Sequence, residues 1–342
     1  MAAVEASTQE VGRELFEQLQ SRQPSVFERR WWNDRILSWA MRDESVKVQM
    51  FRFIDVLPML TTSDEIVRHL HEYFEDVKKR LPAAARLAMA AAPPNSLTGR
   101  ALAVTARRNA SSHARRFIAG TNAAEVLAAA MRQRKLKRAF TLDILGEAVI
   151  SDAEAEKFLQ SYVDLLQDVA PTANGWPDLP QIDQGVLNEL PRVNLSVKLS
   201  ALDAHFDPID PEGVFRRVGP RLRKLLRVAR EHRAFINVDM ESYHVKDLTF
   251  WLFKKILMED EFRETGDVGI VVQAYLRDSE RDLVALRDWA KQRGKPIWVR
   301  LVKGAYWDYE TVIAGQHGWP VPVYSRKHNT DANYERLTRL MI

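Results

Sequence analysis

The chain has 342 residues, 46% of them hydrophobic and 28% charged, which is the balance of an ordinary globular protein of one large and one smaller domain. It has no cysteine, which excludes disulfides, thiolate metal sites and a cysteine nucleophile. The net charge of +4 is too small on this length to indicate nucleic-acid binding by itself.

The chain carries no obvious targeting or membrane signal. Its first residues lack the positively charged start and apolar core of a signal peptide, and no stretch reaches the roughly 18 apolar residues of a membrane helix. The sequence therefore predicts a cytoplasmic protein.

Residues 1–138 are predicted to form a helical arm and linker domain. Apolar residues recur at helical spacing in Val11–Gln20, and Ser63 has the character of a helix start. A proline pair then breaks the chain, and the Ala- and Arg-rich segment Arg100–Lys137 is again helical.

From residue 139 to residue 342, short apolar runs alternate with amphipathic helical stretches. The predicted strands are Phe140–Leu145, Val193–Leu199, Phe235–Met240, Val268–Tyr275 and Ile297–Val302. The predicted helices are Asp152–Val169, Pro211–His232, Val245–Met258 and Ser279–Arg293. This alternation predicts βαβ units and a parallel sheet, hence an α/β domain.

Each predicted strand ends in polar side chains, which are Asp143 and Glu147, Lys198, Asp239, Gln273, and Arg300 with Lys303. In a (β/α)8 barrel such groups converge on one mouth, whereas in a doubly wound sheet only those near the switch point do. We favour the barrel because no GxGxxG follows any strand. Only five barrel strands are found and the chain stops inside a helical pattern, so the barrel is predicted to be truncated.

Each of these side chains has a structural alternative. Lys198 is costly to bury unless it is paired, which fits a substrate-binding cation, a Schiff-base amine or a simple ion pair. Asp239 fits a strand-end functional group or a core carboxylate paired with a nearby cation. Asp143 and Glu147 fit ion pairing as well as catalysis. Gln273 offers a donor and an acceptor, which suit an imide-like ring edge or the backbone.

The stretch Pro296–Asp308, PIWVRLVKGAYWD, is poorly explained by packing alone. Its strand finishes in two cations, two small residues and two aromatics. Small residues let the backbone approach a flat ligand, and cations can hydrogen-bond an anionic ring edge or a phosphate. The histidines show no ligand spacing, so no metal site is predicted.

Taken in order, the motifs TLDILGEA, NLSVKLSAL, NVDMES, VVQAYL and RLVKGAYWD resemble the proline dehydrogenase domain of proline utilization A. The resemblance runs from about Phe51 (FRFIDVLP) to the last residue. It implies a distorted (β/α)8 barrel after a helical arm, a bound FAD, and oxidation of L-proline to Δ1-pyrroline-5-carboxylate. It also implies a fragment of a bifunctional enzyme. Two carboxylate-binding arginines of the last barrel helix and a C-terminal NAD-dependent aldehyde dehydrogenase domain are missing.

For the substrate, the resemblance implies that Lys198 pairs with the proline carboxylate. Asp143 and Glu147 would position the substrate-binding arginines. Asp239 would lie at a strand end beside the flavin, and Tyr306 would lie close to the active site.

For the cofactor, the resemblance places Arg300 at the flavin N5 edge and Gln273 at the pyrimidine edge of the ring. Met240 would line the isoalloxazine. The remaining implied contacts are Val302, Lys303, Gly304, Ala305, Trp307, Tyr324, Ser325, Lys327 and Thr330. Ser325 stands where the family is expected to have threonine, and it keeps the hydroxyl.

The resemblance also implies that electrons pass to a membrane quinone, with a peripheral contact at the inner face of the membrane, and it is compatible with a homo-oligomer. Nothing before Phe51 resembles a ribbon-helix-helix module, so no nucleic-acid partner is expected. Two other hypotheses stay open: a Schiff-base aldolase that uses Lys198 or Lys303, and a basic helical module, led by residues 1–138, that binds nucleic acid.

Overall fold

The computed structural model describes residues 2–20, 42–114, 118–146, 149–185 and 189–342. The chain divides into two compact units, Met1–Ile118 and Ala119–Ile342. A domain boundary at residue 138, as the sequence predicts it, would therefore lie inside the second unit.

The described part of the first unit is helical, as its sequence pattern predicts. Its helices are α1 (Ala2–Gln20), α2 (Glu44–Val56), α3 (Ser63–Glu75), α4 (Ala83–Ala90) and α5 (Leu97–Ala114). Thr62 and Glu65 form a capping box that begins α3, because each side chain accepts a hydrogen bond from the backbone of the other. Phe53, Val67 and Ala103 pack together in a small core of α2, α3 and α5.

The second unit alternates strands and helices. Its strands are β1 (Leu142–Asp143), β2 (Val193–Val197), β3 (Ala234–Val238), β4 (Val268–Gln273) and β5 (Trp298–Val302). Its helices are α6 (Ala123–Lys135), α7 (Asp152–Asn174), α8 (Pro180–Asp183), α9 (Pro211–Glu231), α10 (Tyr243–Leu257), α11 (Ser279–Arg293), α12 (Trp307–His317) and α13 (Lys327–Met341). None of the described helices in either unit is long and apolar enough to cross a membrane.

The five strands form one parallel sheet in the order β1-β2-β3-β4-β5. Sequential order is that of successive strands in a (β/α)8 barrel and differs from the reversed order at the switch point of a doubly wound sheet. The predicted α/β domain after a helical region is thereby confirmed. Four predicted strands run two residues too far at their C-terminal ends, to Leu145, Leu199, Met240 and Tyr275, because apolar residues continue past the last strand residue.

One face of the sheet is covered by helices. Leu195, Ile236 and Ile270 point to this face and join a core with Leu166 of α7 and Leu225 of α9. All five are buried. Because side chains alternate along a strand, the opposite face receives the residues between them.

The opposite face carries the polar groups and a pair of rings. The rings of Phe235 on β3 and Trp298 on β5 meet edge to face, 6.1 Å apart, across β4. Gly269 of β4 lies between their strands, and a Cβ there would come within 3.1 Å of the Phe235 ring. A glycine on the middle strand therefore lets the two neighbouring strands bring their side chains together.

Candidate active site

Four charged side chains meet at the C-terminal ends of the strands. The charged cluster consists of Asp143, Lys198, Asp239 and Arg300: Asp143 ends β1, Lys198 and Asp239 directly follow β2 and β3, and Arg300 lies within β5. Lys198 Nζ lies 2.7 Å from Asp143 Oδ1 and 3.9 Å from Asp239 Oδ2, and Arg300 Nη1 lies 3.0 Å from Asp239 Oδ1. Parallel strands in register bring these residues to one edge, as the sequence predicts.

Asp239 is the centre of the charged cluster. Its Oδ1 accepts hydrogen bonds from Ser196 Oγ at 3.1 Å, Asn237 Nδ2 at 3.1 Å and Arg300 Nη1 at 3.0 Å. Burial raises the pKa of Asp239 above its ordinary value, and the charges of Arg300 and Lys198 oppose that shift. The carboxylate is thus held by donors on its own strand and on two others.

Lys198 is buried, with 9% of its surface exposed. Its backbone N–H donates to the hydroxyl of Tyr162 on α7 at 3.3 Å, which fixes the strand end above that helix. Asp143 is more exposed than Lys198, with 43% of its side chain exposed against 11% for Lys198.

Gln273 lies at the end of β4, paired with Val302 of β5. Its Nε2 donates to the carbonyls of Met240 and Glu241, both at 3.2 Å. Its Oε1 is buried and has no hydrogen-bond partner among the residues that the structure describes. A buried acceptor without a partner costs free energy, and so it marks a place where a ligand donor would fit.

The segment after β5 turns sharply at Gly304. Gly304 has a φ of +128°, and a Cβ there would lie 2.4 Å from the ring of Tyr275. Ala305 is exposed, and Tyr306 leads into α12. The indole N–H of Trp307 donates to the carbonyl of Tyr324 at 2.9 Å, which ties this segment to the one before α13.

The segment that begins α13 carries the other predicted cofactor residues. Ser325 is exposed, and Thr330 is buried on the inner face of the helix. Lys327 pairs with Asp331 one turn later at 2.8 Å, and Lys303 contacts the same carboxylate. Two cations therefore share one anion beside the N-terminus of a helix, which is a favourable setting for a further anionic group.

The structure thus places most of the predicted residues in or just after β1 to β5, in the segment that follows β5, and in the segment that begins α13. Glu147 lies outside the described residues. Ser196, Asn237 and Asp331 were not predicted from the sequence. Ser196 and Asn237 each stand two positions before a predicted residue and so share its face, and Asp331 lies four residues after Lys327 on a helix. Both spacings could have revealed them.

These residues fit a flavin dinucleotide. Gln273 Oε1 is a buried acceptor that would receive the N–H of an imide ring edge. Lys303 and Lys327 place two cations at the start of α13. A diphosphate bound there would join Asp331 as their partner or replace it. Gly304 lets the backbone close on Tyr275 without a side chain in between. An acceptor for a ring edge and cations for phosphates are therefore both present.

Comparison with known families gives two matches. The proline dehydrogenase family model matches residues 126–342, and the model of the proline utilization A N-terminal domain matches residues 5–117. Each match lies within one of the two compact units.

Individual relatives point the same way. The bifunctional protein PutA of Klebsiella aerogenes is 32% identical over 219 residues, which is 64% of this chain and 16% of that protein. Proline dehydrogenase 1 of Bacillus subtilis subsp. natto is 25% identical over 67% of this chain and 61% of its own length. The crystal structure of proline utilization A from Bdellovibrio bacteriovorus, inactivated by N-propargylglycine, superposes with a TM-score of 0.85 at 39% identity. It covers 99% of this chain and 33% of that one. The chain thus spans only a small part of the bifunctional relatives.

We predict that Gly304→Ala weakens both folding and cofactor retention. A Cβ would meet the Tyr275 ring, and alanine is strained at a positive φ, which together cost at least about 1–3 kcal/mol. Denaturant unfolding and flavin content per chain measure the effect. Gly315→Ala on α12, where a new Cβ would meet no described atom within 4 Å apart from the adjacent backbone of its own helix, is the matched control. Equal behaviour of the two variants would contradict the role given to Gly304.

We predict that Glu310→Gln changes how stability depends on pH. Glu310 is 5% exposed and its Oε1 accepts the N–H of Tyr243 at 2.7 Å. Burial raises the pKa of Glu310 above its ordinary 4.5, opposed by the Tyr243 N–H. A raised carboxyl pKa means that its contribution to stability is complete below pH 4.5 and is lost as pH rises through the folded value.

The amide that Glu310→Gln introduces would still accept the Tyr243 N–H but cannot ionise. The melting temperature of the variant should therefore rise relative to that of the wild type as pH increases from about 4.5 toward about 8. Glu335→Gln, on an exposed position of α13, is the control. A constant difference between Glu310→Gln and wild type across this range would show that burial of the carboxylate carries no such cost.

Proposed function

The chain belongs to the proline dehydrogenase family, and from that premise we propose that it oxidises L-proline to Δ1-pyrroline-5-carboxylate with FAD as its cofactor. The observation that carries the proposal is the charged cluster, in which the buried cation Lys198 and the cation Arg300 both lie near Asp239. Gln273, with its buried acceptor, ends the strand between β3 and β5.

In this proposal, Lys198 binds the carboxylate of proline. The residue is buried and its ammonium already faces two carboxylates, so its position is fixed before a substrate arrives. Fixed position is what this reaction needs, because the protein supplies orientation and charge rather than a nucleophile. FAD, when bound, would supply the acceptor for the hydride that leaves proline C5, at the flavin N5.

Arg300 and Asp239 set the charge around the ring. Arg300 is proposed to lie at the N5 edge, where a cation stabilises negative charge that develops during reduction. Asp239 and Ser196 hold the Arg300 guanidinium at 3.0 and 2.9 Å. Tyr306 is proposed to lie near the substrate, at the turn from β5 into α12, and Met240 to line the ring next to Gln273.

The remaining partners follow from the same premise. We propose a quinone as the electron acceptor and therefore a peripheral contact of a cytoplasmic protein with the inner membrane face. NAD is proposed only for a C-terminal aldehyde dehydrogenase domain, which the sequence resemblance implies. A homo-oligomer is compatible with all of these, and no residue described is proposed to bind nucleic acid.

The Schiff-base alternative has weaker support. An aldolase lysine must present its amine to a carbonyl carbon. Lys198 is instead nearly buried and hydrogen-bonded to Asp143, and Lys303 contacts Asp331. Trapping of a carbonyl substrate by borohydride on either lysine would favour the aldolase over the dehydrogenase.

We predict that Lys198→Met, in the protein at its full natural length, selectively impairs proline binding. Loss of one hydrogen bond to a charged group should lower kcat/KM for L-proline about ten- to a hundredfold, mainly through KM, with flavin content unchanged. Pyrrolidine has no carboxylate, so its turnover should change much less. Lys295→Met, which removes an exposed lysine paired with Glu264, is the control.

Two results would count against the proposal. An equal loss of activity toward L-proline and pyrrolidine would show that Lys198 does not bind the carboxylate. Unchanged kinetics toward both would remove Lys198 from the site.

A further inference from the structure

One loop is hydrogen-bonded both to the segment after β5 and to the segment that leads into α13, which carry predicted cofactor residues. None of the loop's own residues was predicted to touch the cofactor. We propose that this loop, residues 274–278 between β4 and α11, is a clasp that presets the dinucleotide site. Tyr275 within it and Asn333 on α13 act as positioning residues. The inference rests on the proposed function, because it concerns the site for the FAD.

The clasp first holds the end of β5. The backbone N–H of Ala274 donates to the carbonyl of Val302 at 2.8 Å, and that of Tyr275 donates to the carbonyl of Lys303 at 2.7 Å. The β4–β5 pairing thus continues past the last strand residues. The Tyr275 ring, which is 3% exposed, then packs where a side chain on Gly304 would be.

The clasp also holds the segment that leads into α13. The carbonyl of Tyr275 accepts the N–H of Tyr324 at 2.9 Å, and the N–H of Arg277 donates to the carbonyl of Pro322 at 2.9 Å. Arg277 Nε donates to the carbonyl of Val323 at 3.2 Å, and its guanidinium lies 5.6 Å from the Tyr324 ring centre. A single residue, Tyr275, therefore bonds both cofactor segments through its backbone.

Asn333 fixes the helix itself. Its Nδ2 donates to the carbonyl of Ala274 at 2.7 Å and to Ser279 Oγ at 2.9 Å, and its Oδ1 accepts from Arg336 at 2.7 Å. Asn333 is 4% exposed, and the two bonds that its Nδ2 donates are buried away from water. Asn333 lies one turn after Thr330 on the same face, and so its bonds set the register of α13 against the sheet.

In this arrangement, the flavin ring and the diphosphate contact different parts of the protein. The ring edge is read at Gln273, inside the sheet, whereas Lys303, Lys327 and the start of α13 face the diphosphate. Asn333 supports only the second part. Its loss should therefore weaken the binding of the dinucleotide much more than the binding of the flavin ring or of proline.

The test compares flavins on the flavin-free protein at its full natural length. We expect Asn333→Ala to raise the dissociation constant of FAD about tenfold or more, since two hydrogen bonds from a buried amide are lost. The dissociation constant of riboflavin, which lacks the phosphates and the adenosine, should change little. At saturating FAD, KM for L-proline should stay within about twofold of the wild type. Asn329→Ala, on an exposed position of the same helix, is the control.

Tyr275 gives a second, independent pair of variants. Tyr275→Leu removes the ring beside Gly304 and should weaken FAD binding. Tyr275→Phe keeps the ring and should bind FAD as tightly as the wild type does. If Asn333→Ala does not fold, Asn333→Ser, which retains a hydrogen-bond donor, replaces it in the test. The same comparison is then made: FAD affinity should fall much more than riboflavin affinity.

The outcomes separate the two proposals. Equal weakening of FAD and riboflavin, or the same loss in Asn329→Ala, would overturn the positioning role and leave the proposed function standing. Unchanged FAD affinity in both Asn333→Ala and Tyr275→Leu would do the same. A wild-type protein that binds no flavin at all would overturn the proposed function and this inference with it.

Discussion

The site depends on one requirement, which is that the carboxylate of Asp239, only 17% of whose side chain is exposed, must be paired. Charges inside a protein are costly unless opposite charges and hydrogen-bond donors surround them. Ser196, Asn237 and Arg300 meet this requirement at Oδ1, and Lys198 approaches Oδ2. These donors come from β2, β3 and β5, so the pairing holds only if the parallel register is kept. The packing of the core on one face of the sheet and the pairing of charges on the other face therefore depend on the same strand register.

Other parts of the second unit position the C-terminal ends of the strands, where these charged side chains lie. Helices α7, α9, α10 and α11 cover one face with apolar side chains, which leaves the other face free for polar ones. Gly269 removes a side chain from β4 so that the rings of Phe235 and Trp298 can meet across it, and Gly304 lets the chain turn against Tyr275. The loop after β4 then joins the segments that follow β5 and precede α13. A site of this kind is assembled mainly by backbone geometry.

Much of this could be predicted from the sequence, because it rests on local periodicity. The alternation of strands and helices predicts the parallel sheet, and the polar strand ends predict that Lys198, Asp239 and Arg300 meet. The strand ends themselves were predicted too long, because apolar character continues past the last ladder residue, as at Tyr275. Asn333 and Tyr275 could not be assigned a role, since their bonds span distant segments that no spacing rule connects. Glu147 has a predicted role that the described residues do not address.

The most direct test of the central claim is an anaerobic titration of the full-length protein with L-proline while its visible spectrum is recorded. We expect the wild type to hold a flavin whose absorbance bleaches as proline is added, and the Lys198→Met variant to hold the same flavin but to need far more proline for the same bleaching. A protein that binds flavin but is not reduced by proline, or that binds none, would contradict the account.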